Sequence, residues 1–205
     1  MNKRVLNAVC GMNLKDIDTQ MALQCAPFIA GIKMSNLFII ENDTLYDTAM
    51  ELEKLKLSYF VLLQTAGKTT FLLYDEVKLG NYMMNGRVKR LLKKMGYGCC
   101  DLIDDLRHLR IRYRQYASEN KSFPHELGLF LGYPVEDVMG FINNSGENCL
   151  YTGYWKVYAD LPSKLKLFRK YRRAEESLIM LVSQGFSIAD IMEALTNNDV
   201  CAAAV

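Results

Sequence analysis

Two β-rich segments joined by a short turn constrain the fold of this chain more than any other feature. The segment "LSYFVLLQT" covers residues 57–65 and "TTFLLYD" covers residues 69–75, with Ala66, Gly67 and Lys68 between them. Runs rich in aromatic and β-branched residues around a short turn with glycine predict a β-hairpin. Both faces of each run are largely apolar, so we expect both strands to lie inside a sheet that other elements cover.

Helical periodicity dominates the rest of the chain. An apolar stripe through residues 100–117, with spacings of four, three, four and three, predicts an amphipathic helix: Leu102, Leu106, Leu109, Tyr113 and Tyr116. We predict further helices at residues 43–56 (capped by Asp43), 78–96, 124–132 (opened by Pro124), after Pro134, around 167–181 and at 187–195. "YTGYWKVYAD", residues 151–160, is typical of a strand. These elements predict a helix-dominated α+β fold, with a small sheet that includes the hairpin at about 57–75 packed under several helices. We expect a single globular domain over residues 1–205.

Composition and cysteine usage narrow the class of protein. The chain has 50% hydrophobic and 23% charged residues, which is typical of a globular protein, and its net charge of +2 demands no polyanionic partner. Six cysteines show no spacing that binds zinc, and neither a secretory leader nor a run long enough to span a membrane is evident. We therefore expect reduced thiols, a cytoplasmic protein and no membrane partner.

Several short motifs fail on closer inspection. "AGKTT" at 66–70 resembles the end of a phosphate-binding loop, but the glycine that this motif requires five residues before Gly67 is Leu62. Basic helical segments such as "KLKLFRKYRR" suit solvated helix faces, because their tyrosines fall on the buried stripes; this argues against nucleic acid as a partner. His108, between two arginines, is expected to be solvated. Cys99 and Cys100 are either structural or reactive thiols.

The stretch "FPHELGLFLGYPVEDVMGF", residues 123–141, is the main candidate for a site. On a helix, His125, Gly128 and Gly132 share one stripe, so a backbone element or a ligand must approach that face closely. The pair His125-Glu126 is not a zinc-protease motif, because residue 129 is leucine. His125 is either a satisfied structural histidine or a catalytic or ligand-binding one, with Glu126 as its orienting neighbour.

Candidate ligand-binding residues lie in three segments. Tyr133 belongs to the stretch with His125, and Lys33 lies in a loop between a predicted helix and a predicted strand. In the predicted strand at 151–160, one face groups Tyr154, Lys156 and Tyr158 around a single cation, which suits an anionic ligand as well as solvent.

These same segments carry a resemblance to a known family. "FPHELGLFLGYPVEDVMGFI", "YTGYWKVY" and "CAPFIAGIK" resemble an uncharacterised family of anaerobic Gram-positive bacteria, classified only as a domain of unknown function, over roughly residues 20–185. The resemblance implies a bacterial cytoplasmic protein and brings no established activity or catalytic residue. It directs attention to redox- or iron-linked cofactors, of which haem is one candidate.

Three hypotheses for function follow, of which the third, nucleic-acid binding through the basic helices, predicts a steep dependence on salt. In the first, a pocket near His125 binds a small molecule or cofactor, and acts on it if His125 and Glu126 are catalytic. In the second, the protein is a non-enzymatic adaptor or regulatory protein that binds a protein partner through the glycine-rich face around Gly128 and Gly132. The sequence specifies neither the cofactor nor the oligomeric state.

Overall fold

A computed structural model describes residues 3–98, 101–119 and 121–197. The helices are α1 Lys3–Cys10, α2 Ile17–Ile29, α3 Leu45–Lys54, α4 Glu76–Met83, α5 Gly86–Lys94, α6 Leu102–Glu119, α7 Leu127–Phe130, α8 Val135–Asn143, α9 Leu161–Ser183 and α10 Ile188–Thr196. The strands are β1 Ser35–Glu41, β2 Ser58–Gln64, β3 Lys68–Tyr74, β4 Tyr151–Thr152 and β5 Lys156–Val157. The helix-dominated α+β class is confirmed.

The larger sheet has three antiparallel strands in the order β1-β3-β2. Strands β2 and β3 form the predicted hairpin, and Phe71 of β3 lies opposite Phe38 of β1 and Val61 of β2. The prediction that both hairpin strands lie inside the sheet is wrong for β2, which is an edge strand with a bulge between Val61 and Leu63. Only β3 is paired on both sides, because β1 joins its other edge and leaves β2 at the border of the sheet.

Helices cover both faces of this sheet, and alternate residues of β3 point into two separate cores. Leu72 packs with residues of α4 to α8, whereas Phe71 and Leu73 pack with residues of α2, α3, α9 and α10. The period of two along a strand explains this division. A third, smaller core joins β5 to α9 through Val157 and Phe168.

Two predicted helices differ in their boundaries. The helix predicted at 78–96 is two helices, α4 and α5, because the Asn85 side chain accepts a hydrogen bond from the Arg87 backbone N–H and starts a new helix. Asp43 does not cap α3, which begins after a 3-10 turn at Asn42–Thr44; its carboxylate instead pairs with Lys15 at 3.1 Å. The helices at the C-terminal end, α9 and α10, agree with the prediction.

The two segments that carry the candidate site are less regular than predicted. Only Leu127–Phe130 is helical within 124–132, because Gly132 adopts a positive φ of 75° that ends the helix, so the proposed stripe of His125 and two glycines does not exist. Residues 151–160 are not one strand but a tight hairpin of β4 and β5. The predicted grouping of Tyr154, Lys156 and Tyr158 on one strand face is therefore wrong.

The predictions for single side chains are confirmed in some cases and wrong in others. Tyr116, expected to be buried on the stripe of α6, is 43% exposed, whereas Tyr171 is buried as expected. His108 is half-buried rather than solvated, because its ring packs 4.4 Å from that of Tyr97. Cys99 and Cys100 lie outside the described residues. Among the helices within the described residues, none has the length and apolar character that crossing a membrane would require.

Candidate functional site

A cleft of about 380 Å³ lies between the His125 region and the β4–β5 hairpin. Its lining is mostly aromatic and aliphatic: Leu37, Phe123, His125, Leu127, Gly128, Leu131, Tyr133, Asp137, Val138, Phe141, Thr152, Gly153, Tyr154, Trp155 and Lys156. Four candidate site residues from the sequence therefore meet in one place, although they lie up to about 30 residues apart: His125, Tyr133, Tyr154 and Lys156.

Asp137 holds the hairpin against α8. Its carboxylate is buried and accepts hydrogen bonds from the Trp155 indole N–H at 2.8 Å, the Tyr158 backbone N–H at 2.8 Å and the Ala159 backbone N–H at 3.1 Å. Three donors around one buried carboxylate compensate for its loss of water. The wall of the cleft that contains Trp155 is thus fixed by one acidic side chain, which the sequence analysis did not select.

The tip of the hairpin reaches α9 because residue 153 is glycine. A Cβ atom at Gly153 would collide with the ring of Phe168 and lie 3.0 Å from the Tyr151 ring. The Trp155 ring then packs edge-on against Phe168, with ring centroids 4.6 Å apart. Glycine is required here for close approach, and this approach places the hairpin over the cleft.

Aromatic rings form much of the cleft wall. Tyr133 and Trp155 are stacked, with centroids 4.7 Å apart and planes inclined by 25°. The His125 ring lies between Phe123 and Phe141, at centroid distances of 5.6 Å and 5.0 Å. Such a surface favours a flat, apolar molecule, because aromatic faces stack on planar ligands.

His125 is a polar side chain of this wall whose two ring nitrogens are both open to a ligand. It is half-buried, and its imidazole forms no hydrogen bond with another residue in the parts of the chain that the structure describes. An imidazole both donates and accepts hydrogen bonds, so each ring nitrogen can bind a ligand atom.

Glu126 has a different environment from its neighbour. Its carboxylate is 2% exposed, forms an ion pair with Arg112 and accepts a hydrogen bond from the Tyr97 hydroxyl at 3.0 Å. It does not line the cleft. The predicted role of Glu126 as the orienting partner of His125 therefore has no support in this geometry, and we assign Glu126 to the packing of α6.

Lys156 and Tyr154 line the cleft but already have partners. The Lys156 ammonium donates to the Gly146 carbonyl at 2.7 Å and lies 5.9 Å from the centroid of the Phe141 ring. Tyr154 lies near Glu175, and burial is the main cause that raises the pKa of both side chains. The Tyr154 hydroxyl and the Glu175 carboxyl group are thus protonated over a wider pH range than in water.

Lys33 and Tyr158 lie outside the cleft. The Lys33 ammonium donates to Asn36 Oδ1 at 2.7 Å and sits 5.7 Å from the centroid of Tyr133, on whose ring the cleft borders. Burial lowers the pKa of Lys33 to about 8. Tyr158 packs its ring over Gly140, and its buried hydroxyl has no hydrogen-bond partner among the described residues.

Other groups do approach Gly128 and Gly132 closely, as predicted, and these groups are side chains of the same chain. A Cβ at Gly128 would lie 3.0 Å from Val138 and 3.2 Å from Tyr133, and one at Gly132 would lie 2.6 Å from the end of Met34. The glycine positions therefore receive side chains from the same molecule, and packing accounts for them.

The polar residues of the cleft do not form a metal site. Within the described residues, no group of three or more His, Cys, Asp or Glu side chains is arranged to hold a metal ion.

Sequence reasoning missed Asp137, Phe141 and Trp155 as site residues. Trp155 is the single tryptophan of the chain, and Asp137 follows Pro134 at the start of a short helix. The sequence does not reveal that Trp155 donates a hydrogen bond to Asp137, because that contact depends on how the hairpin folds back over α8.

Comparison with known proteins identifies the family of this chain. The chain matches none of the curated proteins and none of the solved structures. The pattern that defines a family described as "Protein of unknown function (DUF3793)" matches residues 21–192, which include every residue that lines the cleft. The chain therefore belongs to the DUF3793 family of proteins of unknown function.

Proposed function

We propose that this protein binds a small, planar and mostly apolar molecule in the cleft between α8 and the β4–β5 hairpin. The observation that carries the proposal is an aromatic-lined cleft in which the His125 imidazole has no hydrogen-bond partner among the described residues. The volume of about 380 Å³ falls at the lower end of the range typical of small-molecule sites. The ligand would lie against the aromatic rings that line the cleft, those of Phe141 and Trp155 among them.

His125 is the residue that would act on a bound molecule. It can donate a proton to one ligand atom or accept one from it, and no carboxylate of the described residues shares its hydrogen bonds. Small, flat redox-linked cofactors belong to the ligand class that these walls suit. A cofactor of this kind would give the purified protein a visible chromophore.

The cysteines support a cytoplasmic location as part of the proposal. Cys10, Cys25 and Cys149 are free thiols, and Cys25 is fully buried between α2 and β1. Burial raises the pKa of the Cys25 thiol to about 12, which keeps it protonated and unreactive. Free thiols persist in reducing compartments.

We do not favour the adaptor hypothesis at the glycine face. Gly128 is buried, and the close contacts of Gly128 and Gly132 are made by Val138, Tyr133 and Met34 of the same chain. A protein partner could reach these backbone positions only by displacing packed side chains, which would be costly.

The two histidines of the chain provide a matched test of ligand binding. Native mass spectrometry and an absorbance spectrum are recorded for the wild-type protein, for His125→Gln and for His108→Gln. His108 packs on Tyr97 and does not line the cleft, so it controls for general effects of losing an imidazole.

We expect the wild type and His108→Gln to retain the same additional mass or chromophore, and His125→Gln to lose most of it. Removal of a hydrogen bond to a polar ligand atom weakens binding by about tenfold. Equal retention by both variants would place the ligand elsewhere. A bare polypeptide in all three, together with no response to added planar aromatic compounds, would contradict the proposal.

A further inference from the structure

The polar groups that line the cleft differ in how much hydrogen-bonding capacity they have left. Asp137 is the acidic residue of the lining, and its carboxylate already accepts three N–H groups. It therefore has little capacity to bind a cationic or donor group of a ligand. The carboxylate acceptor of the cleft lining is thus already used by N–H groups of the protein itself.

The donors, in contrast, have capacity to spare. The Lys156 ammonium carries three N–H bonds and uses one of them on the Gly146 carbonyl. The Tyr133 hydroxyl forms no hydrogen bond with another described residue, and burial raises its pKa, so that it stays a neutral donor. His125 can donate from its imidazole as well.

Two of these donors line the cleft and lie near the same aromatic ring, that of Phe141. The His125 ring centroid is 5.0 Å from the centroid of Phe141, and the Lys156 Nζ is 5.9 Å from that same centroid. A ligand with one negatively charged group would find these two donors near Phe141, on the wall of the cleft. Its apolar ring system would then extend along Tyr133 and Trp155.

We infer that the ligand is a planar aromatic acid whose anionic group binds Lys156 and His125 at the Phe141 end of the cleft. This inference rests on the proposed function and specifies its ligand class. Hydrogen bonds from an ammonium to a carboxylate are stronger than those between neutral groups, particularly beside apolar walls. The arrangement selects against neutral analogues, because they leave the Lys156 charge without compensation.

The test compares two compounds with the same ring system, naphthalene carboxylate and naphthalene carboxamide, by isothermal titration calorimetry at neutral pH. Four proteins are measured: the wild type, Lys156→Gln, Lys156→Arg and Lys166→Gln. Lys166 lies on the exposed face of α9 and does not line the cleft, so it controls for the change in net charge.

We expect the wild type and Lys166→Gln to bind the carboxylate about tenfold more tightly than the carboxamide. Lys156→Gln should lose this preference and keep its affinity for the carboxamide, whereas Lys156→Arg should retain part of the preference. Equal affinity for the two compounds in the wild type, or a preference that survives in Lys156→Gln, would overturn the inference and leave the proposed function standing. Binding of neither compound would count against the proposed function itself.

Discussion

At the scale of single residues, buried polar side chains determine how well the cleft is formed. Asp137 satisfies three donors of the hairpin, and Glu126 satisfies Arg112 and Tyr97 on the other side of the short helix α7. A buried polar group that loses its partner costs more free energy than the hydrogen bond itself contributes. Single substitutions at such positions therefore have measurable effects on stability.

Asp137→Asn should lower the free energy of unfolding by about 2 kcal/mol, because an amide cannot accept all three hydrogen bonds. The matched control is Asp104→Asn, whose carboxylate is 67% exposed and pairs with Arg107; we expect a change within about 0.5 kcal/mol there. Urea unfolding followed by circular dichroism measures both. Equal stability of the two variants would mean that Asp137 does not anchor the hairpin.

The lowered pKa of Lys33 predicts that the free energy of unfolding increases with pH over a defined range. Burial lowers the pKa of Lys33 from 10.5 to about 8 in the folded protein, so the unfolded chain holds this proton more tightly. The cost of burying the charged amine is present below pH 8 and disappears as the pH rises towards 10.5. Between these values the stability of the wild type should rise relative to a variant without the amine.

Lys33→Met should therefore gain stability over the wild type near neutral pH, and that gain should shrink by about 1–2 kcal/mol when unfolding is measured at about pH 9.5. Lys54→Met, at a lysine that is 69% exposed, should show no such change. A gain that is constant with pH would mean that the Lys33 amine keeps its ordinary pKa in the folded protein.

At the scale of elements, the hairpin β4–β5 contributes most to the cleft while having few ladder hydrogen bonds of its own. Its strands contain two residues each, so its position depends on Asp137 and on the contact between Gly153 and Phe168. Two-stranded ribbons of this length are not stable without such packing. The tip of the hairpin is therefore the element whose displacement would change the cleft first.

Gly153→Ala should destabilise the protein by about 1–3 kcal/mol and shift the fluorescence of Trp155, because the added methyl group collides with the Phe168 ring. Gly67→Ala is the control, since nothing lies within 4 Å of a Cβ at that turn. Combining Gly153→Ala with Phe168→Leu should recover part of the loss. If the two alanine variants were equally stable, the hairpin would not depend on this approach.

Sequence patterns predicted long elements well and short ones poorly. The hairpin of β2 and β3 and the helices α6 and α9 follow from sustained periodicity, which a single tertiary contact cannot override. The regions at 124–132 and 151–160 depend instead on Gly132, whose positive φ ends α7, and on Gly153, which lets the bend of the hairpin approach Phe168. Local composition does not distinguish such a bend from a continuous helix or strand.

At the scale of the whole molecule, the site is built from segments that come together only through the fold. The wall residues belong to β1, α7, α8, the β4–β5 hairpin and the loops beside α7, and α9 supports the hairpin from behind through Phe168. His125, Tyr133, Tyr154 and Lys156 were selected from sequence and meet here, whereas Lys33 and Tyr158 were selected and lie outside. Residue chemistry selects side-chain types from the sequence, but it does not give the distances across the fold that decide which of them line one cleft.

The single tryptophan allows the central claim, that this cleft binds a planar aromatic ligand, to be tested directly. Trp155 lines the cleft and donates its indole N–H to Asp137, so an isotope-labelled sample shows one indole resonance, which reports on the site. The measurement is a nuclear magnetic resonance titration of that resonance with naphthalene carboxylate. We predict a saturable shift that requires about tenfold more ligand in His125→Gln. An indole resonance that stays fixed up to the solubility limit of the compound would contradict the claim.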